Sequence, residues 1–278
     1  MKSLPKISIV ISSYNRCHFL AGALDSLASQ NYPDLEVIVV DGASTDGTIE
    51  LLRRRADVIT RWISEPDEGA TMAVNKGFQM ATGQVYGWLD CDERYRPGAL
   101  QIVGEEFRKD PKLDIVFGHR IVIDKEGREI GRMKLPAIHP GRYALYASGL
   151  LFSDTTFWKA DLHRRTGRLD EINCRHYGND FDWFFRLGLN VKHWRRVDAY
   201  ISEFTEHEAR LTKNVPELPE ILYHLRRRLQ RLAGVSPLQV IIWSPLYFVL
   251  SRYGQFGWRG LLRPPSLMSL FRVAGIVR

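Results

Sequence analysis

The chain has 278 residues, 45% of them hydrophobic and 26% charged, enough for one large domain with an appendage. Its formal charge is +7, yet the residues from Pro216 onward hold nine arginines, no lysine and two glutamates, so the preceding body is neutral with 30 basic and 30 acidic groups. A nucleic-acid-binding protein carries its basic surface on the folded body, so this split argues against nucleic acid as a partner and for a basic tail facing something anionic.

Met1 to Lys6 contain no apolar stretch long enough for a signal peptide. Ile7 to Ser12 is a short β-branched run and predicts the first strand. Phe19, Leu20, Ala23, Leu24 and Leu27 follow at helical spacing, and Leu35 to Val40 predicts a second buried strand. Asp41-Gly42 is a turn, with Thr45 or Asp46 as cap for a helix from Thr48 to Arg55. Val58 to Ile63 reads as a third strand, Ala70 to Ala81 as a helix closed by Gly83, and Val85 to Leu89 as a fourth strand ending at Asp90. This alternation of apolar strands and helices predicts an α/β fold whose mainly parallel sheet is covered on both faces. Ligands bind such sheets beyond the carboxyl ends of the strands, where Ser12, Tyr14, Asp41 and Asp90 are expected. Farther on, Ile115 to Asp124 predicts a strand, and polar clusters lie in Leu151 to Lys159 and Leu169 to Arg186.

From Pro219 the composition changes. Ile221, Leu222, Leu225, Leu229 and Leu232 share one helical face, Arg226, Arg227, Arg228 and Arg231 lie largely off it, and Gly234 can end the helix. The apolar run from Pro237 to Leu250 is broken by Gln239, Ser244 and Pro245, and is short against the roughly 20 residues of a spanning helix. Trp243, Tyr247, Tyr253, Phe256 and Trp258 alternate with Arg252, Arg259 and Arg263, a mixture suited to a bilayer interface. The expected organisation is a catalytic domain over 1–215 and a basic, aromatic-rich helical tail over 216–278. That tail has two readings, an anionic membrane surface or an ordinary packing or dimer contact. Cys17, Cys91 and Cys174 are odd in number and far apart, which predicts a reducing, cytoplasmic compartment.

Three groups of polar residues carry chemistry. Asp90 and Asp92 suit Mg2+ or Mn2+, which take oxygen ligands and need few carboxylates when phosphates supply the rest. In an extended segment residues two apart point the same way, so both carboxylates are expected to converge just past the strand. Asp41 has two readings, a hydrogen-bond acceptor for a ribose or base and a turn residue bonding locally ahead of Gly42. Asp180 and Asp182 are candidate bases for deprotonating a hydroxyl, or a cap and a first-turn charge of a helix over Phe181 to Leu187. His207 is a further candidate, as metal ligand, diphosphate partner or packing residue.

The ordered set resembles family 2 inverting glycosyltransferases of the GT-A fold. The matching segments are Ile7 to Arg16 (ISIVISSYNR), Leu35 to Thr48 (LEVIVVDGASTDGT), Ser64 to Gly77 (SEPDEGATMAVNKG), Ala81 to Gly83 (ATG), the Asp90-Cys91-Asp92 triplet, Thr155 to Trp158, Gly167 to Asp170, and Asn179 to Arg186 (NDFDWFFR). Several motifs in the family's order, over roughly residues 5 to 215, are far more specific than any one alone. The resemblance implies that Ser12 and Tyr14 contact the base or ribose, that Asp41 binds the nucleoside with Asp67 near it, and that Asp90 lies near ribose and metal. It further implies that Asp92 ligates Mg2+ or Mn2+, that Asp180 rather than Asp182 is the catalytic base, and that His207 stands on the diphosphate side. The implied donor is a UDP-, GDP- or dTDP-sugar. The implied acceptor is a saccharide of cell-surface polysaccharide synthesis, and the basic, aromatic tail suggests that it is polyprenyl-linked and met at the inner face of the membrane. Two positions depart from the family pattern, Asn179 where Glu often precedes the base and Ala70-Thr71-Met72 where many members have an aromatic and an acid. A metal-dependent nucleotidyltransferase would show a glycine-rich phosphate loop after the first strand, and Ser12 to Arg16 contains no glycine.

Overall fold

Ile7, Ile9 and Ile11 point to one face of the first strand and Val10 to the other, and every one of these side chains is fully buried. A strand apolar on both faces must be covered on both. Here α1 (Cys17–Ala28) and α4 (Ala99–Lys109) cover the first face, while α3 (Ala70–Met80), α5 (Ala160–Thr166) and α6 (Asn179–Asn190) cover the second. The computed structural model describes residues 3–137, 139–141, 151–175, 177–208, 210, 215–236 and 238–239.

Among the described residues nine strands form one sheet: β1 (Ile7–Ser13), β2 (Leu35–Asp41), β3 (Arg61–Ser64), β4 (Val85–Trp88), β5 (Glu93–Tyr95), β6 (Ile115–Ile123), β7 (Glu129–Met133), β8 (Thr156–Lys159) and β9 (Trp194–Thr205). Their order is β3-β2-β1-β4-β8-β6-β9-β5, with β7 pairing the Arg120–Ile123 stretch of β6 beyond its contact with β8. The first four pair in parallel, as the alternation predicts. Beyond β4 the sheet is mixed: β8 runs antiparallel to β4 and β6, β9 runs parallel to β6, and β5 antiparallel to β9. The third strand is shorter than its apolar run because Val58 and Ile59 fold back, their N–H groups donating to the Arg55 carbonyl at 3.1 and 2.9 Å. α2 (Thr48–Arg54) begins after Gly47, and Asp46 satisfies its first turn by accepting from Thr48 N at 3.2 Å and Thr48 Oγ1 at 2.6 Å.

At the amino ends of the strands, away from the ligand edge, a fully buried Glu36 on β2 accepts from Ser8 Oγ at 2.5 Å and from Thr82 N and Oγ1 at 2.7 and 2.8 Å. Gly83 lies so close that a Cβ there would sit 2.8 Å from the Ser8 backbone nitrogen and 3.0 Å from the Lys6 carbonyl. The Ala81 to Gly83 motif is therefore a clamp between α3, β1 and β2.

The second face centres on Trp158 and Trp183, both fully buried, with Phe78, Tyr86 and Phe184 around them. His163 of α5 sits among these rings, 4.6 Å from Phe78 and 4.7 Å from Trp183, and its Nδ1 accepts from Trp158 Nε1 at 3.3 Å. Burial pushes its pKa down to about 4, with the Arg164 and Arg186 charges acting in the same direction. The folded state thus prefers neutral His163, so its contribution is intact above the unfolded value near 6.5 and is lost as pH falls from there towards 4. The melting temperature is expected to fall over that window, and His163→Asn, whose amide oxygen can still accept from Trp158, is expected to flatten the fall. Parallel curves for the two proteins would contradict this.

The helix predicted after Pro219 is α7 (Leu218–Leu232). Its Leu225 and Leu229 are buried in a cluster with Cys174 and Phe185, and Arg228 pairs with Asp170 at 3.0 Å. The body therefore covers the middle of the apolar face of α7, while Ile221 and Leu222 are half-buried and Leu232 at its end is exposed. No helix among the described residues is long and apolar enough to cross a membrane. Trp243, Tyr247, Tyr253, Phe256 and Trp258, with Arg252, Arg259 and Arg263, lie outside the described residues.

Candidate active site

The carboxyl ends of β1 and β2 are in register, Ser13 opposite Asp41, with half-buried Ser12 one residue earlier. Asp41 is fully buried and its carboxylate accepts from Ser44 Oγ at 2.5 Å, Ser44 N at 2.9 Å and Ser64 Oγ at 2.7 Å. The local turn bonds read from Asp41-Gly42 are thus present, and the same carboxylate ties β2 to the end of β3. Gly42 leaves space that a side chain would fill: a Cβ there would stand 3.1 Å from an Asp67 carboxylate oxygen and 3.3 Å from the Tyr14 ring. Asp67 is held by its own loop, accepting from Gly69 N at 2.9 Å. Tyr14 is 63% exposed, a flat ring at the rim of this recess. Ser12, Tyr14, Asp41 and Asp67 therefore come together at one edge of the sheet.

Asp90 and Asp92 lie next to this group, but not in the extended geometry expected for them. The chain turns directly after β4, and Glu93 N closes the turn by donating to the Asp90 carbonyl at 3.0 Å. The turn, not strand alternation, brings the carboxylates together, and Cys91 packs against the apolar core of the first face. Asp92 Oδ2 accepts from His207 Nε2 at 3.0 Å and lies 3.6 Å from an Arg210 nitrogen. The His207 ring is buried and stacks on Phe19 at 4.3 Å, and its Nδ1 has no protein partner. Asp90 accepts from Ser153 Oγ at 3.2 Å. Burial, then repulsion from Asp92 and Asp180, raises the Asp90 pKa to about 7. Asp180 is thus near enough for its charge to be felt at Asp90.

Asp180 is the second residue of α6. The helix starts at Gly178, whose φ of +73° is left-handed and suits glycine. A Cβ at Gly178 would also stand 3.1 Å from Leu225 of α7. Asp180 Oδ1 accepts from Phe181 N at 2.7 Å, and Asn179 Oδ1 accepts from Asp180 N at 2.9 Å. Although the Asp180 side chain opens to solvent, the protein mass around it raises its pKa by desolvation, against the opposing pull of the Phe181 N–H and the Arg210 and Arg120 charges. Asp182 is placed differently: it is buried and held by Arg186 at 2.5 and 2.8 Å, and Arg186 also donates to the Thr166 and Arg168 carbonyls. That ion pair ties α6 to the loop before it and commits Asp182 to the fold.

Beneath these residues lies a layer of charged side chains that no sequence motif marks. Glu93 and Asp154 are almost wholly buried, and Glu93 is pushed well above the usual carboxylate range by burial and by the charges of Asp154, Asp90 and Asp92. Arg120 of β6 lies between the Phe152 and Phe204 rings at 3.8 and 4.3 Å, and Arg210 lies over Phe204 at 3.8 Å. Glu93 directly follows the triplet, and Arg210 follows His207 by three residues; nothing local marks Asp154 or Arg120. The site therefore holds a surplus of carboxylates facing two arginines. Among the described residues no three His, Cys, Asp or Glu side chains form a ready-made metal cage.

The family profile described as Glycosyl transferase family 2 matches residues 8–187. The chain belongs to that family. An uncharacterised glycosyltransferase of Nostoc sp. is 35% identical over 129 residues, 43% of this chain and 40% of that protein. Chondroitin synthase of Escherichia coli is 33% identical over 132 residues, 47% of this chain and 19% of that protein. The matched stretch thus spans less than half of either relative. Two solved structures share the fold. S. aureus TarS 1-349 in complex with UDP-GlcNAc superposes with a TM-score of 0.70 at 16% identity, covering 98% of this chain and 84% of that one. The mannosyltransferase PcManGT from Pyrobaculum calidifontis, in complex with GDP-Man and Mn2+, gives 0.58 at 17% identity, covering 90% and 74%. The mixed sheet with helices on both faces is accordingly a GT-A fold.

Proposed function

We propose that this chain is a metal-dependent inverting glycosyltransferase that moves a sugar from a nucleoside-diphosphate sugar to a hydroxyl of a saccharide or polyprenyl-linked saccharide. The observation that carries the reading is the convergence of Asp90, Asp92 and Asp180 beyond the carboxyl edge of the parallel strands, where the charges of Asp92 and Asp180 raise the proton affinity of Asp90. Such repulsion is relieved by a cation, and His207, buried with one nitrogen unpartnered, adds a donor beside Asp92. Asp92, with Asp90 and His207 beside it, would hold Mg2+ or Mn2+, the diphosphate oxygens completing the coordination. The cation, when bound, supplies positive charge for the departing diphosphate.

The chain's own groups do the rest. Tyr14 offers its exposed ring to the base, while Ser12, Asp41 and Asp67 frame the nucleoside. Asp180 takes the proton of the acceptor hydroxyl as its oxygen bonds to the anomeric carbon and the bond from that carbon to the phosphate oxygen breaks. The donors in TarS and PcManGT support a nucleotide sugar, and UDP-, GDP- and dTDP-sugars are the candidates. A thermal-shift panel of these donors with and without Mn2+ tests the reading. A melting temperature raised by one donor class, and more with Mn2+, is expected, since a ligand bound only by the folded state stabilises it. No response to any donor would refute it.

Residues 216–278 dock on an anionic membrane surface at its cytoplasmic face. Their nine arginines support this, four of them on α7, whose Leu225 and Leu229 are packed on the body. Flotation with vesicles containing anionic lipid is expected to capture the full chain and lose the chain truncated after residue 239. Equal capture of the two would refute docking through residues 240–278, and capture of neither would refute the docking altogether.

A further inference from the structure

The short 3-10 turn Ser153–Thr155 lies under the proposed donor site, and no part of the proposed chemistry uses it. Its three side chains are buried to 5% exposure or less, an unusual cost for Ser, Asp and Thr. Ser153 Oγ faces two carboxylates, Asp90 Oδ2 at 3.2 Å and Glu93 Oε2 at 3.4 Å. A serine hydroxyl has one proton to donate, so it can hold one carboxylate while standing against the other. The next residue fixes the turn: Asp154, fully buried, accepts from Ser202 Oγ of β9 at 2.6 Å and pairs with Arg120 of β6 at 3.4 Å. Arg120 is fixed in turn between the Phe152 and Phe204 rings. The hydroxyl thus meets the Asp90 turn and β5, and the turn that carries it is tied through Asp154 to β6 and β9.

We infer that Ser153 is a positioning residue for the donor and metal site, holding the Asp90 carboxylate in place, and that the Asp154, Arg120 and Ser202 contacts exist to hold Ser153. The inference rests on the donor-site reading above. Asp90 sits in a field of like charge that would otherwise turn it away from Asp92. A neutral donor fixed beneath it holds its orientation without adding a cation that competes with the metal. Groups that orient a ligating carboxylate commonly matter to metal affinity by about 10- to 100-fold.

The test is Mn2+ binding to the full chain in the presence of UDP, followed by the electron paramagnetic resonance of free Mn2+, with the melting temperature measured alongside. Ser153→Ala is expected to weaken Mn2+ by about 10-fold with little change in melting temperature, and Ser153→Thr, which keeps the hydroxyl, to restore it. Asp92→Asn serves as control. If Asp92→Asn abolishes Mn2+ binding while Ser153→Ala leaves it at the wild-type value, the positioning role is overturned and the donor site stands. If neither variant alters it, the metal reading itself fails. A Ser153→Ala protein that simply loses stability, with its folded fraction binding Mn2+ normally, would also overturn the role.

Discussion

Asp180→Asn is expected to lower kcat by about 10²- to 10⁴-fold, the range for removing a general base, while donor affinity stays within a few-fold of wild type. The geometry separates the two effects. Asp180 opens to solvent at the start of α6, its Oδ1 bound only to the next backbone N–H, so one carboxylate oxygen remains for an incoming hydroxyl. The amide keeps the size and the bond to Phe181 N, so the helix start should survive. A base must be ionised to act. Since desolvation by the protein around it raises the Asp180 pKa, the acid limb of the rate profile is expected above the ordinary carboxylate range, with activity lost as pH falls through it. Calorimetry of donor binding and steady-state kinetics check both halves; donor affinity lost in parallel with turnover would remove Asp180 from the base role.

The first two strands are legible because each is a short β-branched run apolar on both faces, which parallel strands cannot hide, and the next two because Val58 to Ile63 and Val85 to Leu89 are apolar runs between helices. The sequence also showed which carboxylates end strands. It did not show what they bond to, because Asp41 meets Ser64 only once β3 is placed, and the Asp90 turn needs β5 to pair with β9. β9 itself carries no such pattern. Its Arg195, Arg196, Asp198 and Glu203 interrupt any apolar alternation, and its burial comes from pairing with β6 rather than from its own composition. Asp154 and Arg120 were silent for the same reason: a single charged residue in a mixed segment reads as surface until the fold buries it against a partner far away in sequence. Some motifs recognised by likeness also have a structural meaning. Thr82-Gly83 closes on Glu36, and Asp182 neutralises Arg186. Thr71, at one of the departures from the family pattern, is buried and donates to the Arg175 carbonyl at 3.1 Å, joining α3 to the segment that leads into α6.

Asp92→Asn is expected to abolish metal-dependent turnover and yet leave the fold at least as stable as before. The two outcomes follow from one charge. A metal counter-charge at the leaving diphosphate contributes several kcal/mol in the transition state, and each 1.36 kcal/mol is tenfold in rate, so a loss on the order of 10²- to 10⁴-fold in kcat follows. For the fold the balance runs the other way. Asp92 is one of the two charges that raise Asp90, and it also repels Glu93. Neutralising it removes that repulsion, while an asparagine oxygen can still accept from His207 Nε2. What is lost is the 3.6 Å attraction to Arg210, and Arg210 keeps its bond to the Thr205 carbonyl at 2.9 Å and its place over Phe204. An unchanged or raised melting temperature without metal, together with lost Mn2+ activation, is therefore the expected pair of results. Turnover that persists at the wild-type Mn2+ concentration would show that Asp92 does not hold the ion, and a collapsed melting temperature would show that its charge serves the fold.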